Sequence, residues 1–220
     1  MPVDLRLYAI VDPEHAGGHA LPALAKLVAA GGATLVQLRD KRSDTRAMVD
    51  SARAVKAALK PFGVPLLIND RVDVALAAGA DGVHVGQTDM AAEDARRLLG
   101  PQAVIGLSIK SVALAQAAPI DLVDYVGIGG IYATTSKDNP SPPIGVDGLR
   151  RIVEVFRRRD PKFPSCAIAG INAANAGATI AAGADGVSVI SALSLAPDPA
   201  VAAKTMRAVV DGVLAARKRQ

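Results

Sequence analysis

Two aspartates, Asp70 and Asp89, have the chemistry and the placement to bind a divalent cation. Asp70 follows the apolar run Leu66–Ile68, with Asn69 between them, and Asp89 follows the run Gly82–Val85. Carboxylate oxygens are hard ligands, and Mg²⁺ usually takes one or two of them together with substrate phosphates. Asp and Asn also cap helices, and capping explains either aspartate alone slightly better. The pair together favours a Mg²⁺ site.

A second segment, Gln37-Leu38-Arg39-Asp40-Lys41, concentrates cations and an amide after another apolar run. Alternate side chains of an extended strand share a face, so Gln37, Arg39 and Lys41 lie together. Arginine offers a donor fork and lysine a point charge, which suits a diphosphate. A solvated loop in which Arg39 pairs with Asp40 explains these residues equally well when they are taken alone.

Hydroxyl groups and glycines form a third set of candidates. Thr134, Thr135 and Ser136 lie in a small-residue stretch that ends in Lys137, a composition that can surround a phosphate with donors. Further along, Gly170 allows close backbone approach and Ser191 can donate a hydroxyl. Residues 138–143 are rich in proline and polar residues, which indicates either a mobile lid or an ordinary surface loop.

These candidates follow short apolar runs, so the runs must position them. The runs lack polar alternation, which is typical of parallel strands covered on both faces. Helical patterns such as 20–30, 45–62, 91–99 and 146–159 lie between them. Eight βα units in 220 residues come close to the ~30 residues of a βα repeat. The predicted strands are 7–11, 34–38, 65–68, 82–85, 104–107, 125–128, 165–169 and 186–190.

The sequence therefore predicts a single (β/α)8 TIM barrel over residues 1–220. An internal repeat supports it, because Ala77–Val83 recurs identically as Ala181–Val187, each copy joining a helix to a strand through a glycine. An open doubly wound sheet usually carries a glycine-rich turn after its first strand, and Val11–His15 is no such turn. In barrels of this kind the active site lies at the carboxyl ends of the strands, and the loops after strands 7 and 8 commonly bind phosphate.

Composition restricts the partners. The net charge is +4, but aromatic residues are 3% of the chain, whereas single-strand nucleic-acid binders interleave basic residues with stacking aromatics. We therefore expect small phosphorylated substrates and no nucleic acid, with the basic runs 157–159 and 217–219 as solvated helix ends.

The sequence predicts no membrane span, because no apolar run approaches ~20 residues. The first residues do not resemble a signal peptide. The one cysteine suits a cytoplasmic protein. A homo-oligomer is left open.

Two residues inside strands are predicted to have structural roles. For His84 a packed, hydrogen-bonded role is favoured over a catalytic one. For Cys166 a buried, inert thiol is expected, because no histidine lies near it in the sequence.

Taken in order, the motifs resemble the thiamin phosphate synthase family over nearly the whole chain. The resemblance rests on Gln37–Lys41, Ile68–Arg71, Gly82–Asp89, Ile105–Ser108, Thr134–Lys137, Ala169–Ile171 and Ile190-Ser191. It implies an enzyme that joins a pyrimidine diphosphate to a thiazole phosphate with Mg²⁺ and releases pyrophosphate dissociatively. It assigns the diphosphate to Gln37, Leu38, Arg39, Asp40, Lys41, Asn69, Ser108 and Lys137, of which Arg39, Lys41, Ser108 and Lys137 would be catalytic. It assigns Mg²⁺ to Asp70 and Asp89, and the thiazole phosphate to Thr134, Thr135, Ser136, Gly170, Ile190 and Ser191.

Three positions depart from that family's pattern. The chain has Gly129-Gly130 where the family commonly has Gly-Pro, Ser136 where it has Thr, and Ala169-Gly170 where it has Gly-Gly. The first and third bear on efficiency rather than on the type of reaction.

Two rival functions remain open. One is a thiazole tautomerase, but that family places a histidine in the strand-6 glycine stretch, where this chain has none. The other is a non-catalytic sensor of thiamin phosphate.

Overall fold

A computed structural model describes residues 3–136 and 142–219 and contains a closed barrel of eight parallel strands. The strands follow one another around the barrel in chain order, and β1 closes the ring by pairing with β8. The predicted (β/α)8 barrel is therefore confirmed. The strands are β1 Leu7–Val11, β2 Leu35–Leu38, β3 Leu66–Asn69, β4 Gly82–Val85, β5 Val104–Ile109, β6 Tyr125–Gly129, β7 Ser165–Ile168 and β8 Gly186–Val189.

Helices surround this barrel, and some of them begin at a side-chain cap. Asp44 starts the second helix by accepting a hydrogen bond from Ala47 N at 2.9 Å, and Ser111 and Asp198 cap the fifth and ninth helices in the same way. No helix among the described residues is long and apolar enough to cross a membrane. The helices are α1 Leu21–Ala30, α2 Thr45–Leu59, α3 Val72–Ala78, α4 Ala92–Leu99, α5 Val112–Ala117, α6 Gly145–Arg159, α7 Ala176–Ala181, α8 Ser191–Ser194 and α9 Pro199–Arg217.

Strand alternation separates the main core from the barrel interior. Outward side chains such as Val36, Ile68 and Val126 pack under the helices in one continuous apolar cluster. Inward side chains form a smaller cluster low in the barrel, which includes Leu35 and Leu67. Above it many of the inward positions are polar, and this change in composition places the candidate site at the carboxyl ends of the strands.

The opposite end of the barrel contains a joint that recurs before each even-numbered strand. The side chain just before that strand accepts a hydrogen bond from a backbone N–H at the start of the preceding odd-numbered strand. The sequence repeat marks the joints before β4 and β8, but it did not reveal this bond. The pairs are Thr34 with Leu7 at 3.1 Å, Asp81 with Leu66 at 2.8 Å, Asp124 with Ile105 at 2.7 Å and Asp185 with Ser165 at 2.9 Å.

Three arginines of the basic runs 157–159 and 217–219 donate hydrogen bonds to neighbouring elements of the fold. Arg157 donates to both carboxylate oxygens of Asp185 at 2.6 Å, Arg159 donates to the carbonyl of Ala118 at 2.6 Å, and Arg217 donates to the carbonyl of Ala184 at 2.6 Å. All three arginines lie in the last turn of a helix as expected, and Arg159 is exposed, but their long side chains also reach carbonyls and carboxylates of neighbouring elements.

We expect Asp185→Ala to destabilise the barrel without affecting its site. The variant loses the Arg157 ion pair and leaves the N–H of Ser165 without an acceptor, at a cost of about 3 kcal/mol in the free energy of unfolding. Urea denaturation measures this loss. Asp147→Ala is the matched control, since Asp147 is 76% exposed and, within the described part of the chain, pairs with Arg150 one turn away. A change of about 0.5 kcal/mol or less is expected there. Equal effects of the two substitutions would contradict the role of the joint.

Candidate functional site

A central cavity of about 520 Å³ opens at the carboxyl ends of the strands. Because parallel strands end at the same rim, residues far apart in sequence meet there. The structure brings into its lining seven of the residues predicted for the diphosphate or Mg²⁺, namely Gln37, Arg39, Lys41, Asn69, Asp70, Asp89 and Ser108.

Leu38 and Asp40 were assigned to the same substrate, but they do not line this cavity. Leu38 points outward and is buried in the apolar core. Asp40 accepts hydrogen bonds from the N–H groups of Arg42 and Ser43 at 3.0 Å. Burial raises the pKa of Asp40, but these hydrogen bonds outweigh it and hold that pKa below its ordinary value. The alternation that turns Gln37, Arg39 and Lys41 inward turns these two residues away.

Arg39 is held by Asp12, a residue that the sequence analysis did not single out. Its guanidinium donates to Asp12 Oδ2, and the Asp12 side chain is only 1% exposed. The other oxygen of Asp12 accepts from Glu14 N at 2.9 Å. The proposed pairing of Arg39 with Asp40 is therefore replaced by one with Asp12, which fixes the guanidinium at the rim of the cavity. The signal for it was a carboxylate directly after the first strand.

The structure argues against helix capping as the role of Asp70 and Asp89. Neither caps a helix, because the N-cap residues of α3 and α4 are Arg71 and Ala91, and neither helix has a side-chain cap. Asp70 adopts a left-handed backbone with φ of 61° and accepts a hydrogen bond from Lys41, while Asp89 accepts one from Gly86 N at 2.7 Å.

The two carboxylates also interact with each other. Burial and the contact with Asp70 raise the pKa of Asp89 above its ordinary value. Two acidic oxygens in contact are the arrangement that a cation relieves, so this pair fits a hard divalent ion. Among the described residues, no group of three or more histidine, cysteine or acidic side chains could hold a metal. The remaining ligands would therefore come from substrate oxygens and water.

Buried polar side chains form the floor of the central cavity. Gln37 Nε2 donates to the Tyr8 hydroxyl, Tyr125 donates to the same oxygen at 2.9 Å, and His84 bridges Tyr125 at 2.8 Å and Ser108 at 2.9 Å. The packed, hydrogen-bonded role predicted for His84 is observed, whereas Tyr8 and Tyr125 were not anticipated as members of the site. Cys166 is buried close by, and burial raises the pKa of its thiol well above the ordinary value.

A second cavity, the β7–β8 cavity, lies beside the first and has a volume of about 510 Å³. Ser136 Oγ donates to Ser191 Oγ at 3.1 Å across it. The two cavities share Ile168, Ser188 and Ile190, so they adjoin. All six residues predicted for the thiazole phosphate line it: Thr134, Thr135, Ser136, Gly170, Ile190 and Ser191. Lys137 and residues 138–141 of the suggested lid lie outside the described residues.

Gly170 is required by packing in this second cavity. Its φ is +66°, and a Cβ atom there would lie 2.4 Å from the carbonyl oxygen of Ala133. Glycine therefore lets the loops after β6 and β7 touch. The preceding residue, Ala169, has φ of 83°, a left-handed conformation that disfavours side chains. Strain at Ala169 thus accompanies one of the departures seen in the sequence.

Comparison with known proteins agrees with this geometry. Residues 7–193 match the family model described as thiamine monophosphate synthase (TMP-TENI). A thiamine-phosphate synthase of Agrobacterium fabrum is 49% identical over 98% of both chains, and one of Chloroflexus aurantiacus is 46% identical over 94% of both. The solved thiamine phosphate pyrophosphorylase of Pyrococcus furiosus superposes with a TM-score of 0.84 at 35% identity, covering 96% of this chain and 98% of that one. By its strand order, its two rim cavities and these similarities, the chain belongs to the thiamine monophosphate synthase family.

Proposed function

We propose that this protein joins an aminopyrimidine methyl diphosphate to a thiazole phosphate, forming thiamin phosphate and pyrophosphate. The observation that carries the proposal is the pair of adjoining cavities. One has cationic and acidic groups at its rim, and the other is lined by hydroxyl groups and backbone. Two phosphorylated substrates held in such cavities meet at the shared wall.

The rim of the central cavity would hold the diphosphate. Arg39, oriented by Asp12, offers its remaining donors as a fork, and Lys41 lies close enough to Asp70 to bridge metal site and phosphate. Asn69 and Ser108 line the same cavity. The resemblance adds Lys137 to this set. When bound at Asp70 and Asp89, Mg²⁺ would neutralise charge on the departing pyrophosphate.

The reaction is proposed to be dissociative. The bond between the pyrimidine methylene carbon and the diphosphate oxygen breaks, and pyrophosphate keeps the electron pair. Arg39 and Lys41 stabilise that developing negative charge from fixed positions. The thiazole nitrogen, presented from the β7–β8 cavity, then donates its lone pair to the methylene cation and forms the new carbon–nitrogen bond.

One assay tests the proposal. Purified protein is mixed with each substrate alone, with both substrates, and with both substrates in EDTA, and released pyrophosphate and thiamin phosphate are measured. We expect both products in equal amounts only when both substrates and Mg²⁺ are present. Isomerisation of a thiazole carboxylate phosphate would instead identify a tautomerase. Binding of thiamin phosphate without turnover would identify a sensor. Full activity in EDTA would refute the Mg²⁺ requirement alone.

A further inference from the structure

Ser188 is a buried polar residue that the site as described so far does not use. It lies in β8, its side chain points into the barrel, and it is 2% exposed. Its hydroxyl oxygen has no hydrogen-bond partner among the described residues. Burying an unpaired hydroxyl costs free energy, and the residue that carries this one lines both cavities at their shared wall. A ligand atom is the partner that this position lacks.

The depth of Ser188 indicates which part of a ligand it meets. It pairs in register with Tyr8 of β1, whose hydroxyl belongs to the floor of the central cavity, whereas the cations Arg39 and Lys41 lie at the rim. Gly127 leaves the floor open, since a Cβ atom there would lie 3.0 Å from the His84 ring. A flat ring on the floor would leave an attached diphosphate at the rim.

The hydrogen-bond directions on the floor indicate what Ser188 contributes. The Tyr8 oxygen accepts from Gln37 and from Tyr125, so Tyr125 has spent its hydrogen and accepts from His84 Nδ1. A neutral imidazole that donates from Nδ1 accepts at Nε2, here from the Ser108 hydroxyl. Gln37 and Ser108 therefore keep oxygen lone pairs to offer a ligand. A hydroxyl hydrogen from Ser188 would supply a donor beside these acceptors.

We propose that the Ser188 hydroxyl donates a hydrogen bond to a ring nitrogen of the diphosphate substrate's heterocycle and so positions its methylene carbon at the shared wall. The inference rests on the proposed function, because it presupposes a nitrogen heterocycle attached to the diphosphate. Acceptors from Gln37 and Ser108 with a donor from Ser188 match an aminopyrimidine, which carries both an amine and ring nitrogens. An oxo-pyrimidine of the same shape would present the wrong pattern to the acceptors.

The test is Ser188→Ala, which removes one oxygen atom and the unpaired polar group with it. We expect KM for the pyrimidine diphosphate to rise about tenfold, the value of one hydrogen bond. KM for the thiazole phosphate and the inhibition constant of inorganic pyrophosphate should stay unchanged, since Ser188 is not proposed to contact the thiazole phosphate or pyrophosphate. The melting temperature should stay the same or rise. A purely structural hydroxyl would lower the melting temperature and leave KM alone.

Ser165→Ala is the matched control. Ser165 is a buried serine on the neighbouring strand β7, where its hydroxyl contacts Asp185 at 3.3 Å and does not line either cavity. That variant should lose stability and keep both KM values. An unchanged pyrimidine diphosphate KM in Ser188→Ala, or a rise in the thiazole phosphate KM instead, overturns the inference while leaving the proposed function intact. Wild-type protein that releases no pyrophosphate overturns both.

Discussion

Asp70→Asn and Asp89→Asn are each expected to lose on the order of a hundredfold or more in turnover. The change removes a charge from the proposed Mg²⁺ site but keeps the local hydrogen bonds. Asparagine tolerates the left-handed backbone of residue 70, and an amide oxygen at 89 still accepts from Gly86 N. Steady-state pyrophosphate release at several Mg²⁺ concentrations measures the effect, and high Mg²⁺ should restore part of the activity.

The folding stability of the same two variants shows whether a loss of turnover comes from the lost charge or from a damaged fold. Neither aspartate caps a helix, and the two carboxylates repel each other, so the folded protein should be as stable as the wild type or more so. Asp73→Asn is the control, because Asp73 is an exposed residue of α3 paired with Arg71, and it should keep normal turnover. Normal turnover of both site variants at low Mg²⁺ would eliminate the metal site.

Arg39→Ala is expected to have two large effects that a second substitution can separate. Loss of a charge-assisted contact should weaken diphosphate binding by about one to two decades. Asp12, buried and deprived of its partner, should cost about 3–5 kcal/mol of stability as well. Adding Asp12→Asn should recover most of the stability, since an amide oxygen still accepts from Glu14 N, but it should not recover the affinity. Inhibition by inorganic pyrophosphate and urea denaturation measure the two effects.

The control for the Arg39→Ala variant and its double variant with Asp12→Asn is Arg42→Ala. Arg42 is 78% exposed and pairs with Glu14 on the surface, so both measurements should change little. If pyrophosphate inhibits Arg39→Ala as strongly as it inhibits the wild type, Arg39 only neutralises Asp12. If the double variant recovers affinity as well, the buried charge alone disturbed the site.

The barrel was predictable because its strands are buried on both faces. Such strands must be short and continuously apolar, and all eight runs form strands within one or two residues of their predicted bounds. Some strand ends differ from the predicted ones because the backbone conformation, rather than the apolar pattern, sets where the strand stops. β7 stops at Ile168, since Ala169 turns to a left-handed conformation, and β5 continues to Ile109 beyond its predicted end at 107.

The candidate site was predictable in part for the same reason. Strand alternation places Gln37, Arg39 and Lys41 on one side, and the rule that strand ends converge brings them to Asp70 and Asp89. Alternation also explains why Leu38 and Asp40 lie away from the cavity although they belong to the same motif.

By itself, the sequence determined the barrel, the rim on which the candidate residues lie and the division into two sets of candidate phosphate-binding groups, because these follow from short-range periodicity and strand order. Only the tertiary structure decided that Arg39 pairs with Asp12, that the two aspartates interact instead of capping helices, and that the Ser188 hydroxyl has no partner among the described residues. These are contacts between side chains from different strands. Their partners depend on how the barrel closes, which no local pattern records.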